Sequence, residues 1–259
     1  MDLPWLYRVD ALVLFPALAA LLVVATLAGS RIGRRRHAEG ATADEYGLHG
    51  LDNAMLGLMA LLIGFTLAMA LSRYEERRAG ALEEANAIGT TWLRSRLLAE
   101  PHRTETDRLL RAYLQVRLDL IRTGNVTQAI KRSDALQVEL WAEATAVAAT
   151  TTQPIMASLF IQSLNQTIDL QQTRISASTN RIPTVVFAVL AAVAVIGSGF
   201  SAYSGGLAGG RSVKADLISC VLVASVIVTI FDLDNPAAGF IRVSQQPFLS
   251  LAASMASSP

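Results

Sequence analysis

Four apolar blocks, Ala11–Ala28, Ala54–Leu71, Pro183–Tyr203 and Ala215–Phe231, run almost without charge through a chain of 259 residues. Each approaches the roughly 20 helical residues that cross a hydrocarbon layer about 30 Å thick. Inside lipid every backbone N–H and C=O must be satisfied within the protein, and a helix does this within one segment. The blocks therefore predict an all-α membrane protein with four transmembrane helices. Hydrophobic residues are 52% of the chain and charged residues 17%, and a soluble bundle would not leave such runs uncharged. The first block has the length of a signal peptide. Its basic cluster, Arg31 and Arg34–Arg36, follows the apolar run rather than preceding it, which suits a retained anchor.

The remaining sequence divides around these spans. Residues 1–72 are expected to hold an N-terminal arm and spans one and two, and residues 73–182 a helical extramembrane region. Spans three and four follow over 183–232, then a C-terminal tail over 233–259. Trp5 and Tyr7 of the arm are side chains that favour the lipid–water boundary. Arg31–Gly50 reads as a polar connector containing Gly40 and Gly47. Beyond Arg73, Leu109, Tyr113, Val116 and Leu120 recur at helical spacing, with Arg108, Arg111, Arg117 and Asp119 between them. Pro101 suits the entry to that helix and Gly124 its exit. Further helices are expected over Ser133–Thr150 and Ile155–Ser178, each with an apolar stripe to bury. No strand alternation or hairpin dipeptide appears. The glycines Gly197, Gly199, Gly205, Gly206, Gly209 and Gly210 are read as a tight turn after span three, with close helix packing as the other option.

Several classes of chemistry are excluded or disfavoured. A net charge of +1 gives no sign of a nucleic-acid partner. The single cysteine, Cys220, rules out disulfide scaffolds and thiolate metal sites. His37, His49 and His102 share no metal-ligand spacing, and neither metal nor cofactor is expected. The chain has no phosphate loop, dinucleotide fingerprint, zincin motif or nucleophile elbow. Adjacent acids such as Glu75-Glu76 and Glu83-Glu84 point about 100° apart on a helix and make poor catalytic pairs. No catalytic residue is expected.

The second span carries the functional signal. Ala54–Leu71 has no charged side chain and Thr66 as its only hydroxyl, which suits a dewetting constriction and equally a helix facing lipid. Leu61, Gly64 and Phe65, with Arg73-Tyr74 beginning eight residues after the phenylalanine, resemble the pore-lining second span of bestrophins. The stretches Glu83–Gly89 and Asp232–Gly239 resemble the bacterial family of bestrophin-like membrane proteins. That resemblance implies an oligomer, pentameric in bestrophins, that passes small anions and keeps its helical region in the cytosol. It also implies a bacterial inner-membrane location.

The resemblance places Phe65 and Leu61 in a hydrophobic neck, with the third neck position falling on Gly57. Arg73, Arg77 and Arg78 are expected either as interface anchors or as a basic ring at the pore exit. Asp232, Asp234 and Asn235 occupy the place of the bestrophin calcium clasp. Two carboxylates fall short of the six to eight oxygens that calcium takes, so they are expected mainly to end the fourth span. Orientation is contested: the basic run after span one argues for a cytoplasmic connector, while the resemblance puts the helical region inside. A second reading is a membrane-anchored scaffold or sensor whose helical region binds a partner without permeation.

Overall fold

The computed structural model describes residues 11–41, 48–123, 125–209, 212–235 and 239–257. The aromatic arm, Gly47, Gly124, Gly210 and Arg211 lie outside these residues. Within them the chain is all-α, with eight helices: α1 (Ala11–Ala38), α2 (Leu48–Ser95), α3 (His102–Thr123), α4 (Val126–Thr150), α5 (Pro154–Thr179), α6 (Thr184–Leu207), α7 (Val213–Asp234) and α8 (Gln246–Ser257). Four apolar segments, in α1, α2, α6 and α7, are long enough to cross a membrane. The chain forms two compact units, Met1–Tyr74 with Arg181–Arg242 and Glu75–Asn180 with Val243–Pro259.

The first unit contains the apolar helices. Its tightest contact is between α1 and α6, and glycine is the reason. A side chain on Gly29 would overlap the Gly199 carbonyl, and one on Gly33 would overlap the Tyr203 carbonyl. Missing Cβ atoms let the two backbones approach directly, the common device of helix association in lipid. This corrects the turn reading: Gly199 and Gly206 lie within α6 and face α1. Gly209, at φ +73°, sits at the turn. The connector expected from Arg31 is also corrected. α1 continues to Ala38, where Arg34 Nε donates to the Ser30 carbonyl at 3.3 Å. The core includes Leu22, Ala70, Leu190, Ala194, Ala224 and Ile230. Phe187 meets Phe231 edge to face at 5.4 Å between ring centroids.

The second unit gathers the polar part of α2 with α3, α4, α5 and α8 around Ile88, Leu109, Leu110, Tyr113, Leu140, Phe160, Leu164 and Phe248. α4 begins at Val126, earlier than the expected Ser133, because the Asn125 side chain caps it by accepting from Gln128 N–H at 3.1 Å. The tail contains α8, which seats Phe248 and Met255 in this core. Gly89 leaves room for it: a Cβ there would lie 3.1 Å from Leu251 Cδ1.

Candidate functional site

Helix α2 is 48 residues of unbroken helix, about 70 Å at 1.5 Å per residue. No glycine or proline interrupts the crossing from Met69 to Arg78, so the change from apolar to charged sequence occurs without a turn. In the first unit its buried residues are Met59, Thr66 and Ala70. Gly57, Leu61, Gly64, Phe65, Ala68 and Ser72 are exposed. At about 100° per residue these fall on one arc of the helix, opposite the buried set. Leu61 is 54% and Phe65 65% exposed. A Cβ on Gly57 or Gly64 would meet nothing within 4 Å. The three neck candidates thus share one unpartnered apolar strip.

The basic candidates do not share it. Arg77 is buried at 5% exposure, Arg73 is half-buried and Arg78 is exposed. Arg73 and Arg77 fall on the buried side of α2, with Thr66 and Ala70. In the second unit Glu75, Ala79, Glu83 and Asn86 of α2 are exposed. So are Glu76 and Arg78, while Arg77 is buried.

Adjacent carboxylates on α2 have opposite fates. Glu83 is exposed while Glu84 is fully buried. Glu84 Oε1 pairs with Arg117 Nε of α3 at 2.9 Å, and Oε2 with Arg174 Nε of α5 at 2.9 Å. Tyr113 donates to Gln171 Oε1 at 2.5 Å, and Gln171 donates to Asp134 Oδ1 of α4 at 3.0 Å. Arg174 lies over the Phe248 ring of α8 at 5.4 Å. One buried acid on α2 thus joins a network that reaches every helix of the second unit. Burial opposes the charge of Arg117, but Tyr113 and Glu84 outweigh it and hold its pKa above the ordinary value. Burial lowers the pKa of Arg174, and the attraction of Glu84 does not make up the loss beside Arg117. Its spacing puts Arg117 among the polar positions of α3, yet it is 3% exposed.

At the end of α7 the carboxylates engage backbone. Asp232 Oδ1 accepts from Phe240 N–H at 2.9 Å and Oδ2 from Ile241 N–H at 2.8 Å. Asp234 Oδ2 accepts from Ile182 N–H at 2.9 Å. Asn235 is the C-cap residue of the helix. These contacts tie the segments flanking the helix end to it. A Cβ on Gly239 would come within 2.8 Å of Asp232 Oδ1, so glycine permits the approach. Among the described residues no group of three or more His, Cys, Asp or Glu side chains is placed to share a metal ion.

A family model, the bestrophin-like domain, matches residues 17–248. The chain belongs to the bestrophin-like family. Solved structures agree on the fold. A bacterial bestrophin homologue from Klebsiella pneumoniae, crystallised as a tryptophan-to-alanine variant, superposes with a TM-score of 0.67 at 14% identity, covering 95% of this chain and 96% of that one. A tyrosine-to-alanine variant of the homologue gives 0.65 at 13%, covering 92% and 94%. A structure described as a membrane protein gives 0.63 at 13%, covering 93% and 95%. At such identity the likeness establishes the bestrophin fold and leaves side-chain roles to this chain's own residues. No curated protein matches the sequence.

Proposed function

We propose that this bestrophin-like protein is an oligomeric ion channel of the bacterial inner membrane, its path lined by the exposed arc of α2. The observation that supports this is the unpartnered strip of Gly57, Leu61, Gly64 and Phe65 along a membrane-spanning helix. One helix face encloses nothing, so conduction requires a ring of subunits closed by rotational symmetry, and the family resemblance suggests five. Leu61 and Phe65 form the constriction, where an apolar ring excludes ions by dewetting. Gly57 leaves the position before them wide.

The permeant ion follows from the exposed charge on α2 beyond its apolar span. A basic ring of Arg73, Arg77 and Arg78 would favour small anions, as the family resemblance implies. With Arg73 and Arg77 turned to the buried side, the exposed acids Glu75, Glu76 and Glu83 outnumber the exposed Arg78, so small cations are the better reading. Rings of carboxylates select cations by their field. The test is current across planar bilayers holding the purified protein. Phe65→Ala should raise conductance and Gly57→Ile should lower it, since the added chain meets no neighbour within its own subunit. A monomer in detergent that stays electrically silent in bilayers would overturn the proposal and favour a scaffold role.

A further inference from the structure

Helices α1 and α6 meet backbone to backbone, whereas α2 meets α6 through side chains. Met59 Sδ of α2 lies 3.8 Å from the position of a Cβ on Gly197. Further along the pair, this wider spacing leaves a groove of about 170 Å³, lined by Leu62 and Thr66 of α2 and Val185, Val186, Val189 and Leu190 of α6. Val185 and Val189 are 60% and 49% exposed, so the groove opens to the outside of the unit. The surface it exposes is apolar. The one hydroxyl, that of Thr66, donates to the Leu62 carbonyl one turn earlier.

What fills such a groove is constrained. Water needs two to four polar partners, and none is available. An empty groove forfeits the dispersion contacts of its walls. By itself the groove, with six lining residues, falls far below the roughly 800 Å² per partner of a stable protein interface. A helix about 10 Å across is also too wide for this volume. A single hydrocarbon chain fits: an apolar cavity of about 150 Å³ accepts a molecule the size of benzene. The groove lies in membrane-spanning segments of both helices, where acyl chains are the surrounding medium.

We propose that the groove is an acyl-chain site, in which one phospholipid tail lies between α2 and α6 against Leu62 and Thr66. Those residues adjoin Leu61 and Phe65, so the tail braces the helix that carries the neck candidates. Occupancy itself does not depend on conduction, and the test reads binding alone. The full-length protein is reconstituted in phosphatidylcholine vesicles containing a trace of phospholipid with a photoreactive group in its acyl chain. It is then illuminated and mapped by peptide mass spectrometry. Labelling of Leu62, Val185 and Val189 should exceed that of Ile196 and Leu222, which are exposed at 60% and 61% on helices of the same unit, by several-fold. Val189→Trp should abolish the label on Leu62, and Val186→Ala, which enlarges the groove, should raise it. Even labelling across all these positions, or labelling unchanged by both variants, would overturn the site. So would a disulfide between subunits through Val189→Cys, which would show that a second copy occupies the groove.

Discussion

Replacing Glu84 with glutamine removes one charge and leaves the buried Arg117 and the largely covered Arg174 facing a neutral amide. Arg117 and Arg174 are 2% and 18% exposed at their side chains, and each meets one oxygen of this carboxylate at 2.9 Å. Removing one partner of a buried ion pair costs about 3–5 kcal/mol. Glutamine keeps one acceptor oxygen, so the expected loss is about 3 kcal/mol, near the lower end of that range. In a unit of this size that corresponds to a fall in Tm of about 10 °C. The assay is thermal unfolding of the purified protein in detergent, followed through Trp92 and Trp141, both of which lie in the second unit. Glu83→Gln is the control, since an exposed substitution stays within about 0.5 kcal/mol. Replacing all three charges together, as Glu84→Leu with Arg117→Met and Arg174→Met, should recover most of the loss, because a well-packed apolar core tolerates what an unpaired charge does not. The reasoning fails if Glu84→Gln and Glu83→Gln melt together at the wild-type temperature.

Three more outcomes follow from the structure. Gly33→Val should prevent α1 and α6 from packing and sharply reduce the yield of folded protein, as read by gel filtration, while Gly50→Val, with nothing within 4 Å, should leave the elution unchanged. Asp232→Ala removes the acceptor of the Phe240 and Ile241 N–H groups; water replaces part of it at these exposed residues, so the cost is about 1 kcal/mol, and hydrogen exchange at those amides should accelerate. Burial acts to raise the Asp107 carboxyl, yet hydrogen bonds from Arg111 and Trp92 outweigh it and hold it below the usual carboxylate value. Its stabilisation is therefore present above about pH 4 and lost as pH falls through the lower folded value. Because the carboxylate is a third exposed, the contribution is at most about 1 kcal/mol. Asp107→Asn should flatten that part of the acid melting curve.

The spans were legible because lipid permits few solutions: long uncharged runs in this chain had to be helices. The unbroken passage of α2 was legible too, from the lack of any turn residue near its exit. Helix α8 was readable in principle, since Phe248, Leu251 and Met255 recur at helical spacing, but a short Ser- and Ala-rich segment looks like a tail until a core accepts it. The α1–α6 contact was hidden because glycine looks the same at a turn and at a helix crossing. At the candidate site, the shared face of Gly57, Leu61 and Phe65 follows from their four-residue spacing. The facing of Arg73 and Arg77 was also computable, since they fall about 120° and 160° around the helix from Leu61. The fate of Glu84 was not. Nothing local separates it from Glu83, and its partners arrive from α3 and α5 at distant points of the chain.

The most direct measurement is the reversal potential of the reconstituted protein in a bilayer with a potassium chloride gradient. Conduction past the exposed acids of α2 predicts a potential displaced toward the potassium equilibrium value, with the displacement reduced in Glu75→Gln/Glu83→Gln and conductance raised in Phe65→Ala. A potential displaced toward the chloride value would contradict the cation reading, and an absence of current in every variant would contradict the channel itself.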